Sequence, residues 1–316
     1  MSEELAKKEW ENSFAEDAFE PLPEDEKNGE KIVRKNTSYW KDVWRNFKKN
    51  KAAMVSLVLM AVMVLFVLIG PEISGYNYYS NDYSAVNQGP STEHWFGTDN
   101  LGRDLWTRVW AGGRVSLLIA ILATLIPEAI GMIVGGISGY IGGKVDMIIM
   151  RIIDVLMGIP SLIYMILLMV VLGSGNIWTL IIAMSITGWM GSARSTRGLV
   201  LQLKSREFVT ASETLGASPA WIITRRLIPN TLGIRVVGIT MSLPSAIFYE
   251  AFLSYIGLGV TPPTPSWGQL IKAAGEVFRY YPYQFIIPCL CVAVTMLCFN
   301  LIGDGLRDAL DPKLRS

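Results

Sequence analysis

Two carboxylates, Glu128 and Glu250, stand inside long apolar runs of the sequence. An ionised carboxylate at the centre of a membrane helix costs about 2.5–3.5 kcal/mol on insertion scales, so such a residue faces a bundle interior or a wet cavity. Two chemistries fit them. Either they line the route of a polar solute, or they accept buried structural hydrogen bonds, whether or not the acid carries its proton. Glu128 sits nearer mid-span, which favours the route. A stripe of glycines, Gly131, Gly135, Gly139 and Gly143, follows Glu128 at four-residue spacing. Small residues in that register let a second helix approach closely.

Other spacings fail the chemistry they suggest. Gly142-Gly143-Lys144 would end a phosphate loop, but Ser138 replaces its first glycine and Val145 its last hydroxyl. Gly136-Ile137-Ser138-Gly139 lacks the final glycine of a nucleophile elbow, because Tyr140 follows. The single histidine, His94, falls in a polar segment and excludes two-histidine metal motifs. Cys289, Cys291 and Cys298 share one apolar run and cannot form a disulfide framework or a zinc site. No catalytic or metal constellation survives, and the chain is expected to bind no cofactor itself.

These residues need elements to position them. Of 316 residues, 51% are hydrophobic and 17% charged, with a mean hydropathy of +0.36 and a net charge of +1. Soluble domains carry about 25% charge. A soluble enzyme, a disordered chain and a nucleic-acid binder are disfavoured. The apolar residues fall into runs near the roughly 20 residues that a bilayer crossing requires. Six spans are read: Ala52–Gly70, Val115–Ile141, Ile152–Leu172, Ile177–Met190, Leu232–Gly259 and Tyr283–Gly303. The fourth is short. Prolines 127, 160, 244 and 288 lie within spans, as membrane helices tolerate. The fold class is an all-α membrane protein.

Lysines and arginines crowd residues 34–51, the segments around 144–151 and 194–226, and the last ten residues. The intervening outer segments hold Arg103, Arg108, Arg114, Lys272 and Arg279. The positive-inside rule therefore places both termini in the cytoplasm. Residues 1–37 read as an acidic, disordered leader without the basic start and apolar core of a signal peptide. Residues 38–51 read as an interfacial helix, with Trp40, Val43, Trp44 and Phe47 at i, i+3, i+4, i+7. Residues 52–70 form the first span, and 71–110 an external cap that ends in the amphipathic run Leu105–Trp110. Residues 111–303 form the core and 304–316 a tail. Arg151 and Asp154 are spaced to pair along one helix.

The inner segment 191–230 is long, basic and helical in pattern, broken at Gly216-Ala217-Ser218-Pro219. A 40-residue connector this ordered reads as a surface for a soluble partner.

At this segment the sequence resembles the E-A-A-x-x-x-G…L-P loop of importer-type ABC-transporter permeases. The matching residues are Glu207-Phe-Val-Thr-Ala-Ser-Glu-Thr-Leu-Gly216, then Ile228-Pro229-Asn230. Aligned on Gly216 and Pro229, Ala211 is kept, while Thr210 stands at the family's glutamate and Ser212 at its second alanine. Four further motifs resemble the C-type permease of the oligopeptide/dipeptide branch. They are Phe96-Gly-Thr-Asp-Asn-Leu-Gly-Arg-Asp104, Leu215-Gly-Ala-Ser218, Gly257-Leu-Gly-Val-Thr-Pro-Pro-Thr-Pro-Ser-Trp-Gly268, and Asn300-Leu-Ile-Gly-Asp-Gly-Leu-Arg-Asp-Ala-Leu-Asp-Pro312. The resemblance spans residues 38–315.

It implies a type-1 ABC importer permease of six helices in a prokaryotic cell membrane. A homologous B-type permease would complete the pore. Two cytoplasmic ATPase subunits would bind ATP and magnesium and dock around Thr210, Ala211, Ser212, Leu215, Gly216, Ala217 and Pro229. An external binding protein would deliver a di- or oligopeptide. The loop 257–268 would lie near the outer gate, or serve as a stiff connector. A nickel complex or another solute is the alternative cargo. A secondary transporter would require internal repeats that the sequence does not show, and an intramembrane enzyme would require residues it lacks.

Overall fold

The computed structural model describes residues 39–173 and 175–310. The predicted leader, residues 1–37, and the end of the tail lie outside the described residues. Contacts divide the chain into Met1–Asp42, of which only the start of the first helix is described, and Val43–Ser316, which holds the architecture below.

Among the described residues the regular elements are all helices, joined by loops such as 74–104 and 256–266, with two isolated bridges, Thr98–Asp104 and Gly175–Val260. The order is α1 (Tyr39–Phe47), α2 (Lys51–Ile73), α3 (Leu105–Ile141), α4 (Gly143–Met157), α5 (Ser161–Leu172), α6 (Ile177–Lys204), α7 (Glu207–Thr214), α8 (Pro219–Ile222), a π-helical turn (Ile223–Leu227), α9 (Ile228–Tyr255), α10 (Trp267–Gly275) and α11 (Pro282–Leu310). Among the described residues, α2, α3, the α8–π–α9 run and α11 are long and apolar enough to cross a membrane; the bent pair α4/α5 adds a fifth candidate. Val55, Val58, Leu65 and Leu68 of α2 are exposed, as a lipid-facing surface requires.

The expected third span, Ile152–Leu172, is not one helix. It breaks at Gly158–Pro160, and the two pieces meet at 85°. Pro160 has no N–H to continue the ladder, and it pushes Ile159 away from helical backbone. Prolines 71, 127, 244 and 288 stay inside α2, α3, α9 and α11. At Pro160 the chain leaves the helix, with Gly158 still in helical backbone and Pro160 itself extended at ψ 128°.

The predicted fourth span, Ile177–Met190, is the first half of a 28-residue helix that runs on to Lys204. The first third of the expected inner loop is therefore α6. The predicted cap also ends early: Leu105–Trp110 forms the opening turns of α3, capped by the Asp104 carboxylate, which accepts the Thr107 N–H at 2.8 Å. Likewise α11 continues through most of the expected tail.

The dominant seam joins α3 and α6, and the glycine stripe makes it. A Cβ on Gly131 would lie 2.4 Å from Ser192 Cβ, and one on Gly135 would lie 2.2 Å from the Ala193 carbonyl oxygen. On Gly139 it would meet Val200 at 3.0 Å. Gly143 does not belong to this stripe. The helix has ended at Ile141, Gly142 and Gly143 take positive φ, and nothing lies within 4 Å of a Cβ on Gly143. It serves the turn into α4, a backbone demand rather than a packing one.

Of the predicted interfacial stripe, Val43 and Phe47 are buried, whereas Trp40 and Trp44 are exposed. Phe47 packs so close to α11 that a Cβ on Gly305 would come within 3.1 Å of its ring. Arg151 and Asp154 do not pair with each other. Asp154 bonds Arg194 of α6, and Asp146 accepts from Arg197 Nε and Nη2 at 2.5 and 2.6 Å. Two inter-helical ion pairs thus hold α4 on α6, because the bend turns that face of α4 toward it.

Candidate functional site

Two places gather polar residues. The first is a cavity of about 360 Å³ among α3, α5, α6 and α9. Glu128 and Arg235 stand on its wall, with Ser192, Thr124, Ser242, Ser245 and Tyr249. Arg235 grips Glu128 through two parallel bonds, Nε to Oε1 and Nη2 to Oε2, each 2.5 Å. Its Nη1 donates to Ser195 Oγ at 2.8 Å and its Nη2 to Ser192 Oγ at 3.1 Å. Both charged side chains are buried. A forked pair of this geometry, with its spare donors satisfied, offsets much of the desolvation of two charges.

Gly191 and Gly238 keep the cavity open, while Gly188 lets Pro127 approach. No heavy atom lies within 4 Å of a Cβ built on Gly191, and one on Gly238 would lie 3.7 Å from the Arg235 guanidinium carbon.

Arg235 escaped the sequence reading. It falls three residues inside the predicted fifth span, where an arginine requires a named partner. That was the available signal: an intramembrane cation to match the intramembrane Glu128.

Glu250 is elsewhere. It is fully buried near the opposite end of α9 and is not part of the cavity wall. Ser116 Oγ donates to its Oε2 at 2.8 Å and Ser254 Oγ to its Oε1 at 3.0 Å. Ser116 in turn accepts the Trp267 backbone N–H at 3.0 Å. Of the two chemistries open to Glu250, the geometry is that of the structural hydrogen bond.

The second place is α7. Val209 and Ser212 face inward, and Val209 joins a core of Tyr140, Val200, Ile222, Ile223 and Leu227. The Ser212 hydroxyl donates to the Phe208 carbonyl at 2.8 Å and so turns away from the surface. Thr210, Ala211 and Leu215 are exposed; with Ser205, Glu207 and Thr214 they line an open cleft. Leu215 is 87% exposed, the most exposed large apolar residue among those described.

The helix stops at a two-bond cap. Gly216 N–H donates to Glu213 O at 2.9 Å and Ala217 N–H to Ser212 O at 3.0 Å. Gly216 supplies the required positive φ of 77°. Ala217 is half-buried in the core beneath, and Pro229 is exposed in the first turn of α9. Of the predicted docking residues, then, Thr210, Ala211, Leu215, Gly216 and Pro229 reach the surface, while Ser212 and Ala217 anchor it.

α7 is also tied to α3. Tyr140 Oη donates to Glu213 Oε1 at 2.8 Å, and Lys204 Nζ donates to the Tyr140 carbonyl at 2.6 Å. The seam helix that carries Glu128 thus ends on the helix that presents Leu215.

The motif Phe96–Asp104 is a staple at the other end of α3. Asp99 accepts the Leu101 and Arg103 amides, and its carboxylate binds Arg103 Nε at 2.7 Å. His94 Nδ1 lies 3.0 Å from Asp104 Oδ1 and helps fix that helix cap. Arg108 is fully buried and donates to the Tyr78 carbonyl and to Gln269 of α10. Of the segment 257–268, Trp267 opens α10 and is fully buried, with its indole N–H on the Val109 carbonyl.

The chain matches two family descriptions and several known proteins. The description "binding-protein-dependent transport system inner membrane component" matches residues 129–316. "N-terminal TM domain of oligopeptide transport permease C" matches residues 38–90. The oligopeptide transport system permease protein OppC of Bacillus subtilis is 47% identical, covering 94% of this chain and 97% of that one. The dipeptide transport system permease protein DppC of the same species is 44% identical over 97% of this chain and 96% of its own. The oligopeptide transport permease OppC of Escherichia coli strain K12 is 40% identical over 90% and 95%.

Proposed function

The chain belongs to the family of binding-protein-dependent transport system inner membrane components, and from that premise we propose that it is the C-type permease subunit of an ATP-driven importer of di- or oligopeptides. It is a multi-pass membrane protein of a bacterial ABC importer. In this reading both termini are cytoplasmic, and α6 supplies a sixth crossing with help from its flanking residues. A homologous B-type permease supplies the other half of the pore. Two ATPase subunits bind ATP and magnesium, and an external binding protein hands over the peptide. The chain itself hydrolyses nothing.

One observation carries the reading: a short helix, anchored by Val209 and ended by the Gly216 cap, that holds Leu215 almost fully exposed beside an open cleft. A single exposed leucine is ordinary on a protein surface; what supports a docking role here is its place at the capped end of α7, beside an open cleft in the segment that carries the docking-loop resemblance. The Gly216 turn joins α7 to α8 and the Tyr140–Glu213 bond joins it to α3, so a push on α7 reaches the bundle instead of being absorbed by a loose loop. Glu128 lies along α3 at the cavity, and we assign that cavity to the translocation path.

Reconstitution tests the reading. The chain with a B-type permease, ATPases and binding protein in liposomes is expected to take up peptide only with ATP. Leu215→Asp is expected to lower ATPase capture about tenfold or more, the effect of losing a central apolar anchor. Ion-driven peptide flux by the lone chain, or full ATPase binding by Leu215→Asp, would overturn it.

A further inference from the structure

Arg235 and Glu128 form a complete ion pair on the wall of an open cavity, where intramembrane charges mark solute pathways. Such a pair is no better for stability than a well-packed apolar pair of the same size. Its wall position has another consequence: it offers one positive and one negative group side by side to whatever enters. The cavity, at about 360 Å³, is within the roughly 300–1,000 Å³ range of small-ligand sites. Gly191 and Gly238 leave the space beside the guanidinium unfilled. Ser192 and Ser195 already bond Arg235 and can hold it while its grip on Glu128 opens.

Resting on the peptide reading above, we propose that the Glu128–Arg235 pair is a transient binding site for the charged ends of a zwitterionic peptide in transit. Arg235 receives the C-terminal carboxylate through its planar fork. Glu128 receives a terminal ammonium group. One internal ion pair is exchanged for two pairs to the cargo, so the cavity stays neutral and no charge is left bare at low dielectric. When the peptide leaves, the internal pair re-forms and removes the site. A short peptide can meet both groups at once; a longer one meets them in sequence.

The test uses the full transporter in liposomes, with binding protein pre-loaded and saturating. It compares a free peptide with its C-terminal amide. The wild type is expected to move the free peptide about tenfold faster than the amide, as one lost charge-assisted fork would give. In Arg235→Gln that ratio is expected to fall to near one through slowing of the free peptide. Because Arg235→Gln strands Glu128, the double variant Glu128→Gln/Arg235→Gln is the companion: it buries no unpaired charge and should assemble, again with a ratio near one. A purely structural pair would slow both peptides equally and keep the ratio. That result, or a wild type indifferent to the amide, overturns the site while peptide transport stands. Absence of any peptide uptake by the wild type overturns the function reading and this site with it.

Discussion

Glu128 and Glu250 are the same residue type in the same kind of apolar run, yet the fold answers them in opposite ways. Glu128 meets a guanidinium and stands on a cavity wall. Glu250 meets hydroxyls and is sealed among α3, α9 and the start of α10. A charge partner can be separated and re-formed when a charged solute competes for it. A ring of serine hydroxyls around a carboxylate with no exposure has no such competitor; it fixes the elements that supply the serines. The neighbourhood, not the carboxylate, decides between a working group and a structural one.

That contrast can be broken at several points. The largest effect is expected for Arg235→Ala, which leaves Glu128 buried without its cation. Removal of one partner of a buried pair costs about 3–5 kcal/mol. Thermal unfolding of the detergent-solubilised complex checks it, and the double variant with Glu128→Gln should recover part of the loss. A change in the midpoint no larger than that of a surface substitution would remove the pair from the argument.

Gly135→Leu comes next. Its Cβ would meet the Ala193 carbonyl at 2.2 Å, and overpacking of this kind costs about 1–3 kcal/mol. It separates seam from cavity, because it should loosen α3 from α6 without touching either carboxylate's partner. Gly143→Ala, outside the seam, should leave that seam unaltered while straining only its own turn. Equal effects at the two glycines would contradict the assignment of three seam glycines and one turn glycine.

Ser116→Ala strips Glu250 of a donor and the Trp267 amide of its acceptor, a loss of about 1–3 kcal/mol for buried groups left unsatisfied. It should lower the unfolding temperature and leave the free-acid to amide transport ratio unchanged. The smallest effect is expected for Glu250→Gln. The amide keeps the shape and can still exchange hydrogen bonds with both serines, so stability should move by less than about 1 kcal/mol. If Glu250→Gln instead abolished transport with the fold intact, the two carboxylates would have to be grouped together again.

Legibility in the sequence followed the range of the physics. The glycines at 131, 135 and 139 could be read as a close helix contact because their period is that of one helix face. The cap at Gly216 was equally plain, since a positive φ after a helix favours glycine. The inward turn of Ser212 was not, because its hydroxyl bonds its own helix and its side of α7 is set by the core beneath. Pro127 and Pro160 look alike in the sequence; one lies inside a continuous helix and the other at an 85° break. The expected Arg151–Asp154 pair failed for a related reason. The bend hands α4's acids to Arg194 and Arg197 on a distant helix, a pairing no local spacing reveals.

By itself the sequence determined that this chain lives in a bilayer, that its helices are built from apolar runs, that a second helix approaches the glycines of α3 closely, and that a helix breaks at Gly216. Those properties depend on composition and on neighbours within a few residues. Tertiary structure alone decided which helix meets the glycines, which cation answers Glu128 across 107 positions, and that Glu250 is enclosed by serines from separate elements. Hydrophobic burial specifies how much of a helix must be covered, but it is non-directional. The pairing of charges and hydroxyls is directional and short-ranged, so it is settled only when the packed helices bring particular atoms within reach.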